Sequence, residues 1–227
     1  MRTFGSVLIC FLATCLIVLM VWSRNDLQKR QKAWAQTFET VESIGPQLRA
    51  GDIIFQTSTS EQSEAIQLAT HSPYSHCGIL YQNAKGKWLV YEAVQPVRLT
   101  PVQEWVRRGL HGRFWVRRLH DAASVLDSSG LRRLQDAGLR YQNRNYDPYF
   151  SWSDDRVYCS ELIWKMYKRA IGRKLGELQQ LRDFDLSHPA VQAKLRERYG
   201  GRLPLTETVI SPASIFRSPE LVTVLSR

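Results

Sequence analysis

Residues 145–167 constrain this chain most, because the pattern changes character halfway along them. Asn145-Tyr-Asp-Pro-Tyr-Phe-Ser-Trp-Ser-Asp-Asp-Arg-Val-Tyr158 is aromatic, polar and turn-rich, the composition of a loop. From there on, Cys159, Leu162, Ile163, Met166 and Tyr167 recur at i, i+3, i+4, i+7 and i+8, one face of an amphipathic helix. That periodicity places Cys159 in the first helical turn, facing inward beneath a long loop. Unpaired backbone N–H groups and the positive end of the helix dipole favour a thiolate at such a position. A buried cysteine serving as a small hydrophobe is the competing reading, and this stretch by itself leaves both open.

The rest of the composition narrows the classes. A chain of 227 residues, less an apolar N-terminus, suits one domain with a sizeable core. Its net charge of +10 is spread from Arg24 to Arg227 rather than blocked. No zinc-finger, basic-zipper or RNA-binding signature accompanies that charge, so no nucleic-acid partner is expected. Attraction to anionic lipid or to an acidic cell envelope accounts for it at least as well. The cysteines are Cys10, Cys15, Cys77 and Cys159, neither a disulfide framework nor the paired spacing of structural zinc. A Cys77–Cys159 bridge would silence the thiol of interest. His71, His76, Cys77 and Cys159 are metal-ligand types, but adjacent strand residues point to opposite faces. Neither a metal nor a cofactor is expected.

The N-terminus carries a different signal. Phe4 to Trp22 is apolar apart from small polar side chains and makes about 28 Å of helix, against roughly 30 Å of bilayer hydrocarbon. Val21-Trp22-Ser23-Arg24 is a poor cleavage site, so residues 1–23 are expected to be an uncleaved transmembrane anchor or signal, with membrane contact through residues 4–22. Leu12-Ala13-Thr14-Cys15 loosely resembles a lipoprotein box, but Thr14 and the apolar residues past Cys15 count against it. The expected location is a single-pass protein of a bacterial inner membrane with its domain in the periplasm. Arg24, Lys29, Arg30 and Lys32 follow the span and argue the other way under the positive-inside rule. Residues 24–46 read as a helical stalk, with Asn25 and Gln28 as a capping box, a stripe of Leu27, Trp34, Phe38 and Val41, and a stop at Gly45-Pro46.

Residues 47–227 form the body. Leu48 to Phe55 reads as a turn and a short strand, and Thr59 or Ser60 opens a helix to about Thr70. Cys77–Gln82 and Lys87–Ala93 make an antiparallel hairpin about the Asn83–Gly86 turn. Thr100-Pro101, with Gln103, starts a short helix through Arg108. Phe114–Leu119 is a strand, Leu126–Arg140 a helix and Ala190–Tyr199 another, and a last strand or short helix follows Ile210. Antiparallel hairpins with helices segregated from them make an α+β domain.

A cysteine hydrolase needs a thiolate, an imidazole and a third group that holds the imidazole in the right tautomer. His76 opens the first strand of the hairpin and Glu92 lies near the end of the second, so crossing the hairpin makes them neighbours. Gly51-Asp-Ile-Ile-Phe, Ser75-His76-Cys-Gly-Ile, Val90-Tyr-Glu92-Ala-Val and Tyr158-Cys159-Ser-Glu-Leu-Ile-Trp, in that order, resemble the circularly permuted papain-like amidases. These are the YiiX-like branch of the NlpC/P60 superfamily, related to lecithin–retinol acyltransferase. The resemblance runs from about Leu48 to Tyr167, with an echo at Ser211-Pro-Ala-Ser-Ile-Phe. It implies a permuted papain-like fold, an antiparallel sheet packed on the helix that carries the nucleophile, and a triad of Cys159, His76 and Glu92. Cys77 departs from the pattern, where a plain apolar residue is usual, and strand alternation turns its side chain away from that of His76.

The expected mechanism is attack by Cys159 on an amide or ester carbonyl, with His76 moving the proton and Glu92 orienting the ring. The Cys159 N–H and a tyrosine hydroxyl, Tyr158 or Tyr146, would meet the oxyanion. Partners in view are an amide- or acyl-containing small molecule, a lipid or a peptidoglycan peptide. The function expected is therefore a membrane-anchored amidase or peptidase of the cell envelope. Acyl transfer to an amine or lipid, and a non-catalytic envelope-binding scaffold, are the alternatives. His71, His111, His120 and His188 read as surface, and Asp52 and Asp154-Asp155 as structural.

Overall fold

The computed structural model describes residues 3–227, with side-chain surroundings for 21–227 apart from 30, 33 and 38. The chain divides into two compact units, Met1–Ser43 and Ile44–Arg227. Helix α1 runs unbroken over Thr3–Ile44. Asn25 therefore lies inside a helix, where the preceding turn already supplies acceptors, and the expected capping box does not form. The expected single-pass inner-membrane location also needs correcting. Among the described residues no helix is long and apolar enough to cross a membrane. The physical reason is that the described part of α1, from Val21 onward, carries Arg24, Asp26, Lys29 and Lys32 in close succession. Most of the expected 4–22 span lies outside the residues with described side chains.

In the second unit the order is β1 (Ile53–Gln56), α2 (Ser63–Thr70), β2 (His76–Gln82), β3 (Trp88–Glu92), β4 (Arg98–Pro101), α3 (Val102–Arg107) and β5 (Trp115–Leu119). Then come α4 (Ala122–Val125), α5 (Ser128–Leu139), β6 (Asn145–Tyr146), β7 (Arg156–Val157) and α6 (Cys159–Ile171). The chain closes with β8 (Gln179–Gln180), α7 (Pro189–Tyr199), β9 (Thr208–Val209), α8 (Pro212–Phe216) and β10 (Leu221–Ser226). The main sheet has the order β10-β5-β1-β2-β3-β4, antiparallel throughout. Helix α6 packs against β2 and α5.

Alternation along the strands decides what α6 meets. Ile53 and Phe55 of β1 and Cys77 and Ile79 of β2 are buried in one cluster with Leu162, Ile163, Met166 and Tyr167 of α6. The apolar face read from the sequence is thus the face that packs. Gly172 ends α6 with φ of 75°, a left-handed C-cap that glycine adopts without a Cβ penalty.

Three boundaries differ from expectation, each because particular hydrogen bonds override the sequence pattern. Helix α2 starts at Ser63, since Ser58 N donates to Ser75 Oγ at 2.8 Å and Thr59 N to the Arg108 carbonyl at 3.2 Å. Thr100 belongs to β4, opposite Val90, instead of capping a helix. The helix expected over 126–140 is α5, which starts at Ser128 behind a separate short α4, with Asp127 Oδ1 accepting from Gly130 N at 2.7 Å to cap it.

Candidate active site

Three strands and a helix converge on one carboxylate. Antiparallel register sets Ile79 against Tyr91, which puts Gly78 against Glu92 and His76 one diagonal step away on the same face. A Cβ at Gly78 would come within 2.3 Å of Val90 Cγ1, so only glycine lets the two strands meet here. Across this gap His76 Nε2 and Glu92 Oε2 are 2.7 Å apart, and the Glu92 side chain is 0% exposed. The other oxygen, Oε1, accepts from Thr100 Oγ1 at 2.6 Å and from the Arg108 guanidinium. Trp105 of α3, fully buried, stacks on the His76 ring at 5.8 Å between centroids.

Cys159 acts on the same imidazole. It opens α6, is 4% exposed, and interacts with the His76 ring. With Nε2 engaged by Glu92, Nδ1 is the nitrogen left for the sulfur. Tyr158 precedes it in extended conformation, and Glu161 Oε2 accepts from the Tyr158 N–H at 3.3 Å, anchoring the helix start. As the first helical residue, Cys159 has a backbone N–H with no acceptor inside its own helix.

The electrostatics follow from these contacts. The Cys159 thiol is held well below its ordinary range, first by a hydrogen bond with Cys77, against the opposing effect of burial, and then by His76. For His76, burial disfavours the charged ring, but hydrogen bonds to Cys159 and Glu92 outweigh it and lift the group to about 9. Burial pushes Glu92 up, yet His76, Arg108 and Thr100 together bring it down to about 2. Cys77 behaves oppositely to Cys159: burial, then the neighbouring Cys159 sulfur, pushes its thiol well above the usual value. Strand alternation does turn Cys77 into the core, as expected, but the core is where α6 brings Cys159. These shifts favour an imidazolium between a thiolate and a carboxylate.

Tyr146 and Tyr158 part company. Tyr158 is buried, and its Oη accepts from the Ile210 N–H at 3.0 Å, tying the loop to the C-terminal segment. Tyr146 is half-buried and its Oη accepts from Gln62 Nε2 at 2.7 Å. Burial, then the charge on Cys159, raises the Tyr146 phenol, so it keeps its proton. The remaining histidines lie elsewhere: His71 pairs with Asp185 at 3.2 Å, and His188 Nδ1 caps α7 by accepting from Ala190 N at 3.2 Å. Asp52 is structural, receiving Arg118 Nε at 2.6 Å and the Arg49 N–H at 2.8 Å. Asp154 pairs with Lys165 and Arg169.

Two grooves flank the sulfur and the ring. One, a narrow cavity of about 90 Å³, has Cys159 in its wall, with Ala65, Ile66, Ala69, Leu181 and Leu195 among the side chains around it. The other, of about 540 Å³, has His76 in its wall and is edged by Gln56, Ser58, Thr59 and Arg108. Gln62 and Tyr146 line both. Thr100, Trp105, Arg108 and Gln62 were invisible as site residues in the sequence, because only the sheet edge and the α2 entry bring them in.

Comparison with known proteins agrees with this fold. The family model described as permuted papain-like amidase enzyme, YaeF/YiiX, C92 family, matches residues 47–225. The uncharacterized protein YiiX of Escherichia coli strain K12 is 50% identical over 185 residues, covering 82% of this chain and 90% of its own. A crystal structure titled metalloprotein yiiX, from Escherichia coli O157:H7, superposes with a TM-score of 0.76 at 51% identity, covering 80% of this chain and 98% of that one. The expected permuted papain-like α+β fold is borne out.

Proposed function

The chain belongs to the permuted papain-like amidases, a family of the cysteine hydrolase class, and from that premise we propose that it cleaves an amide or ester bearing an apolar acyl group through Cys159, His76 and Glu92. The observation that carries this reading is the His76 ring, joined to a fully buried Glu92 at 2.7 Å and interacting with the Cys159 thiol that opens α6. The thiolate attacks the carbonyl carbon, and the C=O π electrons move to oxygen. The Cys159 N–H and the Tyr146 hydroxyl meet that oxyanion. Collapse breaks the bond to the amine or alcohol, which takes the His76 proton as it leaves. Water then gives a proton to His76 and its oxygen to the thioester, releasing the acid and restoring the thiolate. Glu92 stays ionised and holds Nε2, so the ring keeps one orientation through both halves.

The mostly apolar walls of the groove beside Cys159, interrupted by Gln62, Lys194 and Arg198, support an acyl chain there. The solved relative is titled a metalloprotein. Among the described residues no group of three His, Cys, Asp or Glu is placed to hold an ion, and His76 Nε2 is committed to Glu92. The donor set here does not fit a resident metal, and no step is routed through one.

Intact-mass analysis after rapid quench with a medium-chain N-acyl p-nitroanilide tests the reading. A transient acyl adduct on Cys159, absent from Cys159→Ala, is expected. Turnover that persists in Cys159→Ala would overturn it.

A further inference from the structure

Gln62 and Tyr146 share a wall between the two grooves, so a substrate spanning Cys159 and His76 must cross them. The hydrogen bonds around them have a fixed direction. Arg198 of α7 donates from Nη2 to Gln62 Oε1 at 2.5 Å. A guanidinium has no acceptor, so it can face only the oxygen of the amide. The amide is thereby locked with its NH₂ toward Tyr146, and Nε2 donates to the Tyr146 Oη at 2.7 Å. A phenol has one proton. With its oxygen accepting from Gln62, that proton is turned away from Gln62. Arg198 is itself held by the Phe150 ring, 4.9 Å from its centroid, so the lock is anchored on both sides.

We propose that Gln62, locked by Arg198, is a positioning residue that aims the Tyr146 hydroxyl proton at the oxyanion formed on the Cys159 adduct. The inference rests on the acyl-enzyme reading above. It explains why an otherwise apolar wall carries an amide and a guanidinium in series: reversing either donor would let the phenol proton turn to Gln62. Preorganising that O–H removes the cost of rotating it during the reaction.

The test uses the N-acyl p-nitroanilide with Gln62→Glu, Tyr146→Phe and the double variant, alongside the rate of iodoacetamide alkylation at Cys159. A carboxylate at 62 retains the contact with Arg198, now as an ion pair, but only accepts, so it draws the phenol proton away. Gln62→Glu should then lose kcat toward the roughly 100-fold loss expected of Tyr146→Phe. KM and the alkylation rate, which need no oxyanion, should stay within about two-fold, and the double variant should be no slower than Tyr146→Phe. Gln62→Ala, which removes the donor without adding charge, should fall between. Wild-type kcat in both Gln62 variants, a Tyr146→Phe enzyme with unchanged kcat, or losses that multiply in the double variant would each overturn the inference. Absence of any acyl adduct in the wild-type protein would instead overturn the parent reading.

Discussion

The two grooves on either side of the reacting pair differ in how many polar groups interrupt their walls. Beside Cys159 the walls are mostly apolar and come from α2, α7 and the 181–186 segment; beside His76, Ala93, Val94 and Pro148 alternate with amide, hydroxyl and guanidinium groups from the β1 end, the 58–60 loop and Arg108. Two grooves of one character would hold a substrate in either direction. The difference orients it: each methylene buried on the Cys159 side contributes about 0.8 kcal/mol, whereas on the His76 side a methylene also covers polar groups that lose water. The acyl part is therefore directed to the nucleophile's side and the departing amine or alcohol to the side where the imidazolium proton waits.

Removing the sulfur shared by both grooves has the largest effect. Cys159→Ala should lower kcat/KM by at least about 10³-fold while leaving the fold intact by circular dichroism. Next comes the carboxylate behind the ring. Glu92→Gln keeps the shape but removes the charge that favours imidazolium, so the His76 group falls from about 9 toward its ordinary range. Because His76 must be protonated to release the leaving group, activity declines as pH rises through that value. The alkaline limb of the kcat/KM profile should thus move to lower pH, with about a 10²-fold loss at pH 8.

The contrast itself is sharpened by filling one groove. Ala65→Trp should raise KM for long acyl chains by about ten-fold and leave a two-carbon acyl group unchanged, since each displaced methylene costs about 0.8 kcal/mol. Equal effects on both chains would place the acyl group elsewhere. The smallest change is structural: Thr100→Val leaves Glu92 Oε1 with Arg108 alone and should cost about 1.5–3 kcal/mol of stability in a urea titration, as expected for a lost hydrogen bond to a buried charge.

Much of this was legible in the residues, for identifiable reasons. The α6 face could be read because its periodicity and its packing coincide, from Cys159 to Tyr167. His76 and Glu92 could be paired because a hairpin is local and its register follows from one turn. Thr100 and Arg108 could not, because a Thr-Pro pattern disguises the 98–101 strand, which pairs with β3, as a helix start, and Arg108 returns to Glu92 only by way of the helix that follows. Gln62 looked like an ordinary helix residue, and its role depends on Arg198, 136 positions away. Cys77 was read correctly as turning from His76, yet alternation on one strand says nothing about which helix lies beneath it. The N-terminal membrane span was expected from hydropathy alone, and among the described residues no helix meets that requirement.

The central claim is that Cys77 and the buried His76 imidazolium together keep Cys159 ionised, and the rate of iodoacetamide alkylation against pH measures that state directly. The account predicts an inflection for Cys159 well below the free-thiol value of about 8.5, displaced upward in His76→Ala. A single inflection at or above the free-thiol value, unmoved by His76→Ala, would contradict it.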